Sequence, residues 1–270
     1  MPLNQNQMPL LAAIAASAIR DHAPFYAPGH KQGRGAAARL KDLWGEAVFR
    51  ADLPELPELD NLFAPEGPIL EAQELAAAAF GAEQTWFLAN GSSGGLEAAI
   101  LAVCAPGDEI IVPRNAHQSV ISGLILAGAK PVFVMPEYDP DWDLVLGVPP
   151  EAVAAALANH PQAKAVLLVS PTYHGICSDV GAIAALAHAR DIPLLIDEAH
   201  GPHFGFHPDL PPSAMASGAD LSVQSTHKVL GALPQASMLH MQGPRLDRQR
   251  LSRALQLTQS TSPSYLLLAS

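Results

Sequence analysis

The sequence predicts an α/β fold with a mostly parallel sheet flanked by helices, and three observations lead to that prediction. Of the 270 residues, 49% are hydrophobic and only 15% are charged, which is ample material for a sizeable core. From Thr85 onward, short runs of Val, Ile and Leu alternate with alanine-rich helical stretches. The short runs lack polar alternation, as is typical of strands buried on both faces of a sheet, and helical crossovers between them favour parallel strands.

The predicted elements follow one another in a regular order. The strands are TWFL, EIIVP, PVFVM, AVLLVS, PLLID and DLSVQS, beginning at residues 85, 109, 131, 165, 193 and 220. The helices are GGLEAAILAVCA, HQSVISGLILAG, PEAVAAALANH and GAIAALAHAR, beginning at residues 94, 117, 150 and 181. In such a sheet, ligands bind beyond the carboxyl ends of the strands. We therefore expect residues 66–270 to form one large domain with its site at that edge.

Residues 1–65 have a different pattern and are predicted to form a separate N-terminal segment. The run LLAAIAASAI, residues 10–19, predicts a helix, and Pro-rich and Gly-rich sequence after it predicts an extended loop. The apolar run ends at Arg20 after about ten residues, which is too short to span a membrane, and no basic region precedes it as in a signal peptide. No membrane association is expected.

Charge and cysteine content narrow the classes of partner. The chain has 15 Lys and Arg against 26 Asp and Glu, a formal net charge of −11 that argues against nucleic acid. Small cationic molecules fit such a field better. Cys104 and Cys177 lie in apolar runs without metal-like spacing, which favours a reduced, cytoplasmic protein.

Groups that can perform chemistry follow the ends of four predicted strands. ANGSSGG, before a helix, is typical of an anion site, although a flexible turn with a serine cap is the alternative interpretation. A strand-end lysine is either a cation that reaches the surface or a reactive amine. A buried aspartate needs a partner to stay charged. The groups are Ser92 and Ser93 after TWFL, His117 after EIIVP, Asp197 at the end of PLLID, and Ser225, His227 and Lys228 after DLSVQ.

Together these groups match the needs of pyridoxal 5'-phosphate. A lysine forms a Schiff base with this cofactor, a carboxylate keeps its pyridine nitrogen protonated, and a glycine-rich turn holds its phosphate. Lys228 would lose its charge in that bond, so the cost of burying an ammonium ion would disappear. The constellation alone fits an aminotransferase or an aldolase equally well.

Several blocks resemble the ornithine/lysine/arginine decarboxylases of the aspartate-aminotransferase fold, and the resemblance covers nearly all of the chain. It implies pyridoxal-phosphate-dependent decarboxylation of a basic L-amino acid, as in polyamine biosynthesis, by a homodimer or higher homo-oligomer. Residues 28–31 would lie near the neighbouring subunit's cofactor. The blocks are FYAPGHKQG, ELDNLFAPEGPILEAQELAAAAFGA, NGSSGG, NAHQS, DEAHGPH and SVQSTHKVLGALPQASMLH.

The resemblance also implies a role for each site residue. Lys228 would carry the cofactor, Asp197 would pair with the pyridine nitrogen, and His117 would stack on the ring opposite Ala199. His227 or Lys228 would return a proton to the substrate. The remaining cofactor contacts would be Ser92, Ser93, Gly94, Ser225 and His227 around the phosphate, and His200 near the mouth of the site.

Two departures from the family pattern affect these expectations. Pro234 replaces a small residue near the lysine and removes a backbone donor there. The chain ends at SPSYLLLAS, whereas relatives continue into a small C-terminal domain that helps to close the site and recognise the substrate. We therefore expect weak or absent turnover. The chain would be either a truncated, catalytically impaired cofactor-binding core or a naturally shortened form of the enzyme. Asp60 and Glu66 are the remaining candidates for holding the substrate's distal charge.

A metal centre is the rival interpretation of DEAHGPHFGFH. Spacings of three and four would place its histidines on one helical face. Gly201, Pro202 and Gly205 interrupt any such helix, so no metal is expected. The potential ligands are Asp197, Glu198, His200, His203 and His207.

Overall fold

The computed structural model describes residues 3–270 as eleven α-helices, two 3-10 helices and nine strands. The helices are α1 (Pro9–Ala18), α2 (Ala38–Trp44), α3 (Glu46–Ala51), α4 (Pro68–Phe80), α5 (Gly91–Val103), α6 (Gln118–Ala127), α7 (Pro150–Asn159), α8 (Val180–His188), α9 (Thr226–Val229), α10 (Arg248–Thr258) and α11 (Tyr265–Leu268). The strands are β1 (Gln84–Leu88), β2 (Glu109–Pro113), β3 (Lys130–Val134), β4 (Tyr138–Asp139), β5 (Leu144–Val145), β6 (Val166–Val169), β7 (Leu194–Asp197), β8 (Leu221–Gln224) and β9 (Ser237–Met241).

Seven of the strands form one sheet in the order β1-β9-β8-β7-β6-β2-β3. β9 pairs antiparallel with both β1 and β8, and the remaining pairs are parallel. The predicted α/β class with a mostly parallel sheet is therefore confirmed. A separate two-stranded hairpin joins β4 and β5.

Apolar side chains on both faces of the sheet form the core. Helices α5, α6 and α10 cover one face, and α7 and α8 cover the other. A third cluster joins α1, α4 and α11, where Tyr265 is fully buried and its hydroxyl donates a hydrogen bond to the carbonyl of Asp60 at 2.5 Å. This third cluster attaches the N-terminal segment to the rest of the chain.

The predicted strands and helices are present, with a few differences. β9 was not predicted, and β3 is largely exposed rather than buried because it is the edge strand. The predicted loop of residues 20–65 contains α2 and α3, of which α3 packs against α1 and α2 packs against α3. Within residues 3–270, every helix is too short or too polar to cross a membrane.

Candidate active site

A cavity of about 330 Å³ opens at the carboxyl ends of the parallel strands. The segments after β2, β6 and β7, which are neighbours in the sheet, supply most of its lining. The structure brings six of the ten predicted site residues to this one cavity. They are Ser92, His117, Asp197, Ala199, His200 and Lys228.

Lys228 lies in the short helix α9 that follows β8. Its side chain is exposed at the cavity, so the amine does not lie buried in the sheet as an ammonium ion. The reason is that the chain has already left the buried strand at Gln224 and turned into a helix that faces the opening. Lys228 Nζ lies 3.1 Å from Nε2 of His200 and 5.8 Å from the ring centroid of Tyr173. The amine is therefore accessible to a ligand in the cavity.

Asp197 is the last residue of β7 and is only 4% exposed. The amide of Ala199 donates a hydrogen bond to its Oδ1 at 3.2 Å. Burial raises the pKa of the Asp197 carboxyl, and the Ala199 amide together with nearby Lys228 and His117 offsets part of that rise. A buried carboxylate with so little hydrogen bonding favours a cationic group beside it.

The N-terminus of α5 forms another wall of the cavity, at Ser92. Ser225 Oγ donates a hydrogen bond to Ser92 Oγ at 2.8 Å, which ties α5 to the end of β8. Gly95 permits the close approach of this helix, because a Cβ there would lie 2.6 Å from Leu88 Cδ1 and 2.9 Å from Val223 Cγ1. The free amides of the first helical turn, with the helix dipole, favour an anion such as a phosphate.

His117 is the N-cap residue of α6 and presents an exposed ring to the cavity. Its Nδ1 accepts a hydrogen bond from the Ser119 amide at 3.2 Å. Because a backbone amide can only donate, Nδ1 is unprotonated and Nε2 carries the ring hydrogen. Capping fixes the ring orientation while leaving its face available for stacking.

Four predicted residues do not line the cavity: Ser93, Gly94, Ser225 and His227. Ser93 and Gly94 lie in the first turn of α5, and Ser225 reaches the cavity through its bond to Ser92. The Nδ1 atom of His227 donates to the carbonyl of Ala236 at 2.8 Å, since a carbonyl can only accept. The role of His227 as a proton donor stays a prediction.

Sequence reasoning missed several residues of the lining. Tyr173 is the most prominent, since its ring lies 4.6 Å from that of His200. The segment PTYHG follows β6 directly, so the strand-end rule that selected Asp197 would also have selected it. The missed residues are Asn115, Ala116, Gln118, Val145, Val169, Thr172, Tyr173 and His174.

The residues considered as a metal centre do not converge. Glu198 lines a separate cavity of about 390 Å³ and accepts hydrogen bonds from Ser222 and Gln224, whereas its neighbour Asp197 lines the cavity with Lys228. Nδ1 of His207 lies 3.9 Å from Oδ2 of Asp209, outside the cavity that contains Lys228. Throughout residues 3–270, no group of three or more His, Cys, Asp or Glu side chains is arranged to hold a metal ion.

Asp60 and Glu66 lie in a different cleft from the one that contains Lys228. The carboxylate of Asp60 accepts hydrogen bonds from the amides of Glu66 and Gly67 at 2.9 and 2.8 Å, at the start of α4. Burial alone would raise the pKa of Asp60, but these and neighbouring backbone amides lower it below its usual value. Asp60 therefore acts as a helix cap, which leaves it poorly placed to hold a substrate.

Another cavity, which at about 470 Å³ is larger than the one with Lys228, lies between α1, α4 and α11. None of its described lining residues carries an ionisable side chain. Volume alone would therefore select the wrong place, and the chemistry of the lining identifies the smaller cavity as the candidate site.

The residues of the smaller cavity fit pyridoxal phosphate. They offer an accessible amine, a buried carboxylate with a hydrogen bond from a backbone amide, a flat ring at His117 and a helix N-terminus for an anion. Gly95 provides the close helix approach on which that anion site depends. Each need of the cofactor has a matching group within one cavity.

The sequence matches known proteins over nearly its whole length. Residues 8–270 match the family model described as Orn/Lys/Arg decarboxylase, major domain. The chain is 42% identical to arginine decarboxylase of Bacillus subtilis (strain 168) over 99% of its own length and 55% of that protein. It is 30% identical to lysine decarboxylase LdcA of Pseudomonas aeruginosa over 97% of its length and 38% of that protein. The chain thus spans about half, or less, of the length of these curated relatives.

Solved structures of lysine decarboxylases have a similar fold. The fold is similar to lysine decarboxylase A from Pseudomonas aeruginosa, with a TM-score of 0.87 and 29% identity, over 97% of this chain and 39% of that one. It is similar to the constitutive lysine decarboxylase of E. coli, with a TM-score of 0.85 and 28% identity, over 98% and 39% of the two chains. A more distant pyridoxal-5'-phosphate-dependent protein, YhfS from Escherichia coli, shares the fold alone, with a TM-score of 0.58 and 15% identity over 100% and 64% of the two chains.

Proposed function

Because the chain belongs to the Orn/Lys/Arg decarboxylase family, we propose that it binds pyridoxal 5'-phosphate and uses it to decarboxylate a basic L-amino acid. The products would be carbon dioxide and the corresponding amine. One observation carries the proposal: Lys228, Asp197 and His117 line a single cavity beside the N-terminus of α5.

Each residue of the site contacts a different part of the cofactor in this proposal. Lys228 attaches the cofactor covalently, and the Asp197 carboxylate holds a proton on the pyridine nitrogen. The ring of His117 stacks on one face of the cofactor, and Ala199 packs on the other. The phosphate is held by Ser92, Ser93, Gly94, Ser225 and His227.

The bound cofactor supplies an electron sink for the electron pair that the departing carboxyl group leaves behind. With the cofactor bound, the residues of the cavity would orient the substrate's carboxyl group and exclude water. Lys228 or His227 then returns a proton to Cα of the product. Asp197 keeps the ring nitrogen charged throughout, which is an electrostatic contribution that requires no movement.

Reductive trapping tests the cofactor assignment. Borohydride should fix pyridoxal phosphate onto Lys228, as mapped by mass spectrometry of the digested protein. Lys228→Ala should retain only cofactor that dialysis removes. Lys164 is an internal control, because it does not line the cavity, and Lys31 is the lysine that a neighbouring subunit would bring nearest. Labelling of either one in place of Lys228 would contradict the assignment.

We propose arginine or lysine as the preferred substrate, because the relatives' names include both and the chain has a net charge of −11. Release of labelled carbon dioxide from individual amino acids measures the preference. Preference for an acidic or aromatic amino acid would contradict a basic substrate. The same products would place the enzyme in polyamine biosynthesis in the cytoplasm, which cell fractionation and amine analysis would test.

We also propose a homodimer or higher homo-oligomer, with residues 28–31 near the partner's cofactor. Exposed apolar side chains that precede residues 28–31 in the sequence support an interface. Ile19 is 78% exposed and Phe25 is 96% exposed. Light scattering at micromolar concentration should give at least twice the mass of the chain, which is 28.3 kDa. A monomer would contradict this proposal.

A further inference from the structure

Two ring side chains hold the amine of Lys228, and the cofactor contacts described above do not include either interaction. Nζ of Lys228 lies 3.1 Å from Nε2 of His200 and 5.8 Å from the ring centroid of Tyr173. The rings of His200 and Tyr173 pack on each other, with centroids 4.6 Å apart and an interplanar angle of 50°. The three residues follow three adjacent strands, β6, β7 and β8, so the sheet itself brings them together.

We propose that His200 orients the free amine of Lys228 for attack on the cofactor's aldehyde, and that Tyr173 is a positioning residue for the His200 ring. This inference rests on the proposed function, because it concerns the step in which Lys228 takes up pyridoxal phosphate. It assigns His200 a contact with the reacting nitrogen rather than only a place near the mouth of the site.

The charge state of the His200 ring suits this role. Burial, followed by the nearby charges of Lys228 and His117, lowers the pKa of His200. A neutral imidazole has one ring nitrogen free to accept, and the nitrogen that faces Lys228 Nζ is Nε2. The other titratable groups that face the amine across the cavity are His117, Asp197, Tyr173 and His174.

The hydrogen bond has a directional consequence for the amine. When neutral Lys228 donates one N–H to His200, its lone pair points away from that ring. Lys228 uses this lone pair to form the bond to the aldehyde carbon, and both amine hydrogens leave with the carbonyl oxygen as one molecule of water. Holding the amine in one orientation favours this attack over the many rotamers of a free lysine side chain.

The backbone next to His200 is fixed, but its ring depends on Tyr173. The amide of Gly201 donates to the carbonyl of Glu198 at 2.9 Å, and a Cβ at Gly201 would lie 2.8 Å from Glu198 Cγ. Tyr173 is 72% exposed, and its ring packs on the His200 ring and lies beside the Lys228 amine. An aromatic face beside an ammonium group also attracts that charge.

The test measures covalent attachment of pyridoxal phosphate to the cofactor-free chain, from the absorbance change and from borohydride mapping of Lys228. His200→Ala should lower the limiting rate about tenfold, the effect of one hydrogen bond, with an unchanged half-saturating concentration. His200→Gln should recover most of the rate, because its amide oxygen also accepts an N–H. Tyr173→Phe should match the wild type, and Tyr173→Ala should lose about threefold.

The matched control is His207→Ala, because His207 lies in the same segment after β7 but is exposed and outside the cavity. A limiting rate for His200→Ala within twofold of the wild type would overturn the inference. A variant that changes only the half-saturating concentration of pyridoxal phosphate would overturn it as well. If His200→Ala fails to fold, equal rates for Tyr173→Phe and Tyr173→Ala overturn it. Failure of the proposed function is distinct, because the wild-type chain would then attach no cofactor at Lys228.

Discussion

Two neighbouring carboxylates at the end of β7 differ in their hydrogen bonding. Asp197 and Glu198 are 4% and 1% exposed, so both are buried. Glu198 accepts hydrogen bonds from the Ala214 amide at 2.7 Å, Ser222 Oγ at 2.7 Å and Gln224 Nε2 at 2.8 Å. Asp197 accepts one, from a backbone amide, and otherwise faces the cavity that contains Lys228.

The bonds of Glu198 continue through a buried polar chain across the sheet. Since Gln224 donates Nε2 to Glu198, its Oε1 accepts from His240 Nε2, at 3.1 Å. The Nδ1 atom of His240 then accepts from Thr85 Oγ1 at 2.8 Å. This network joins β8, β9 and β1, and the side chains that form it are not among the described residues that line the cavity of Lys228.

The difference separates a structural carboxylate from a functional one. Burial raises the pKa of both groups, but three hydrogen-bond donors offset part of the rise at Glu198, whereas one amide together with nearby Lys228 and His117 does so at Asp197. Native proteins satisfy nearly all buried polar groups, so a poorly satisfied one marks a place where a ligand completes the bonding. Substitutions at the two positions should therefore affect different properties.

The largest expected effect is the loss of stability in Glu198→Ala. This change leaves the Ala214 amide, Ser222 and Gln224 without their acceptor in a buried place, which should lower the free energy of unfolding by about 3–5 kcal/mol. Urea unfolding followed by circular dichroism measures it. Glu198→Gln, which keeps one acceptor oxygen, should lose about half as much. A loss below about 1 kcal/mol in Glu198→Ala would remove the distinction.

Asp197→Ala should show the opposite pattern. Its fold should be retained, with an unfolding free energy within about 1 kcal/mol of the wild type, because few bonds are broken and a costly buried charge is removed. Decarboxylation should fall by about 3–4 kcal/mol in activation free energy, as when a preorganised charge partner is deleted. Steady-state kinetics with arginine or lysine measures it. A near-normal rate would show that the ring nitrogen takes its charge from elsewhere.

The sequence predicts one side of this comparison better than the other. Asp197 ends one strand, and His117 and Lys228 lie four residues beyond the ends of two others, so the rule that ligands bind at strand ends selects them without any knowledge of contacts. The hydrogen-bond network of Glu198 joins residues as far apart as Thr85 and His240, and no local pattern reveals that pairing. It depends on β9, a strand that sequence reasoning missed.

β9 was missed for a physical reason. Its sequence SMLHM contains a histidine and has no β-branched residue, so it does not match the apolar runs of the other strands. Tertiary pairing overrides this weak propensity, because β9 fills the space between β1 and β8. For Lys228 the sequence left open whether the side chain reaches the surface, and its exposure follows from the turn into α9, which begins after Ser225.

The pH dependence of stability should report the network through His240. Full burial lowers the pKa of His240 to about 3, against an ordinary value of 6.5. Below pH 6.5 the unfolded chain therefore binds a proton that the folded chain does not, so stability is lost as the pH falls. The loss attributable to this group should be about 3 kcal/mol between pH 6.5 and about pH 4.

His240→Gln removes the titrating group and should flatten this part of the curve. Urea unfolding at several pH values compares the slopes of the variant and the wild type, so a constant offset in stability does not matter. His160→Gln is the control, because His160 is a surface partner of Glu109 at 3.2 Å. Identical slopes for His240→Gln and the wild type would show that the ring is charged or solvated in the folded chain.

The smallest expected effects come from two buried serines that lie on the two sides of the comparison. Ser222 and Ser225 are both 0% exposed and three residues apart, and each donates one hydrogen bond, to Glu198 and to Ser92 respectively. Ser222→Ala should lower the free energy of unfolding by about 1–2 kcal/mol, because it removes a donor from a buried carboxylate, and should leave cofactor affinity unchanged. Ser225→Ala should cost less than about 1 kcal/mol in stability but should weaken binding of pyridoxal phosphate severalfold, because Ser92 at the α5 N-terminus loses its tie to β8.

Equilibrium dialysis with pyridoxal phosphate and urea unfolding, applied to both variants, give the four values. If Ser222→Ala weakened cofactor binding as much as Ser225→Ala, the network of Glu198 would be part of the cofactor site, and the separation of the two carboxylates into structural and functional groups would be wrong.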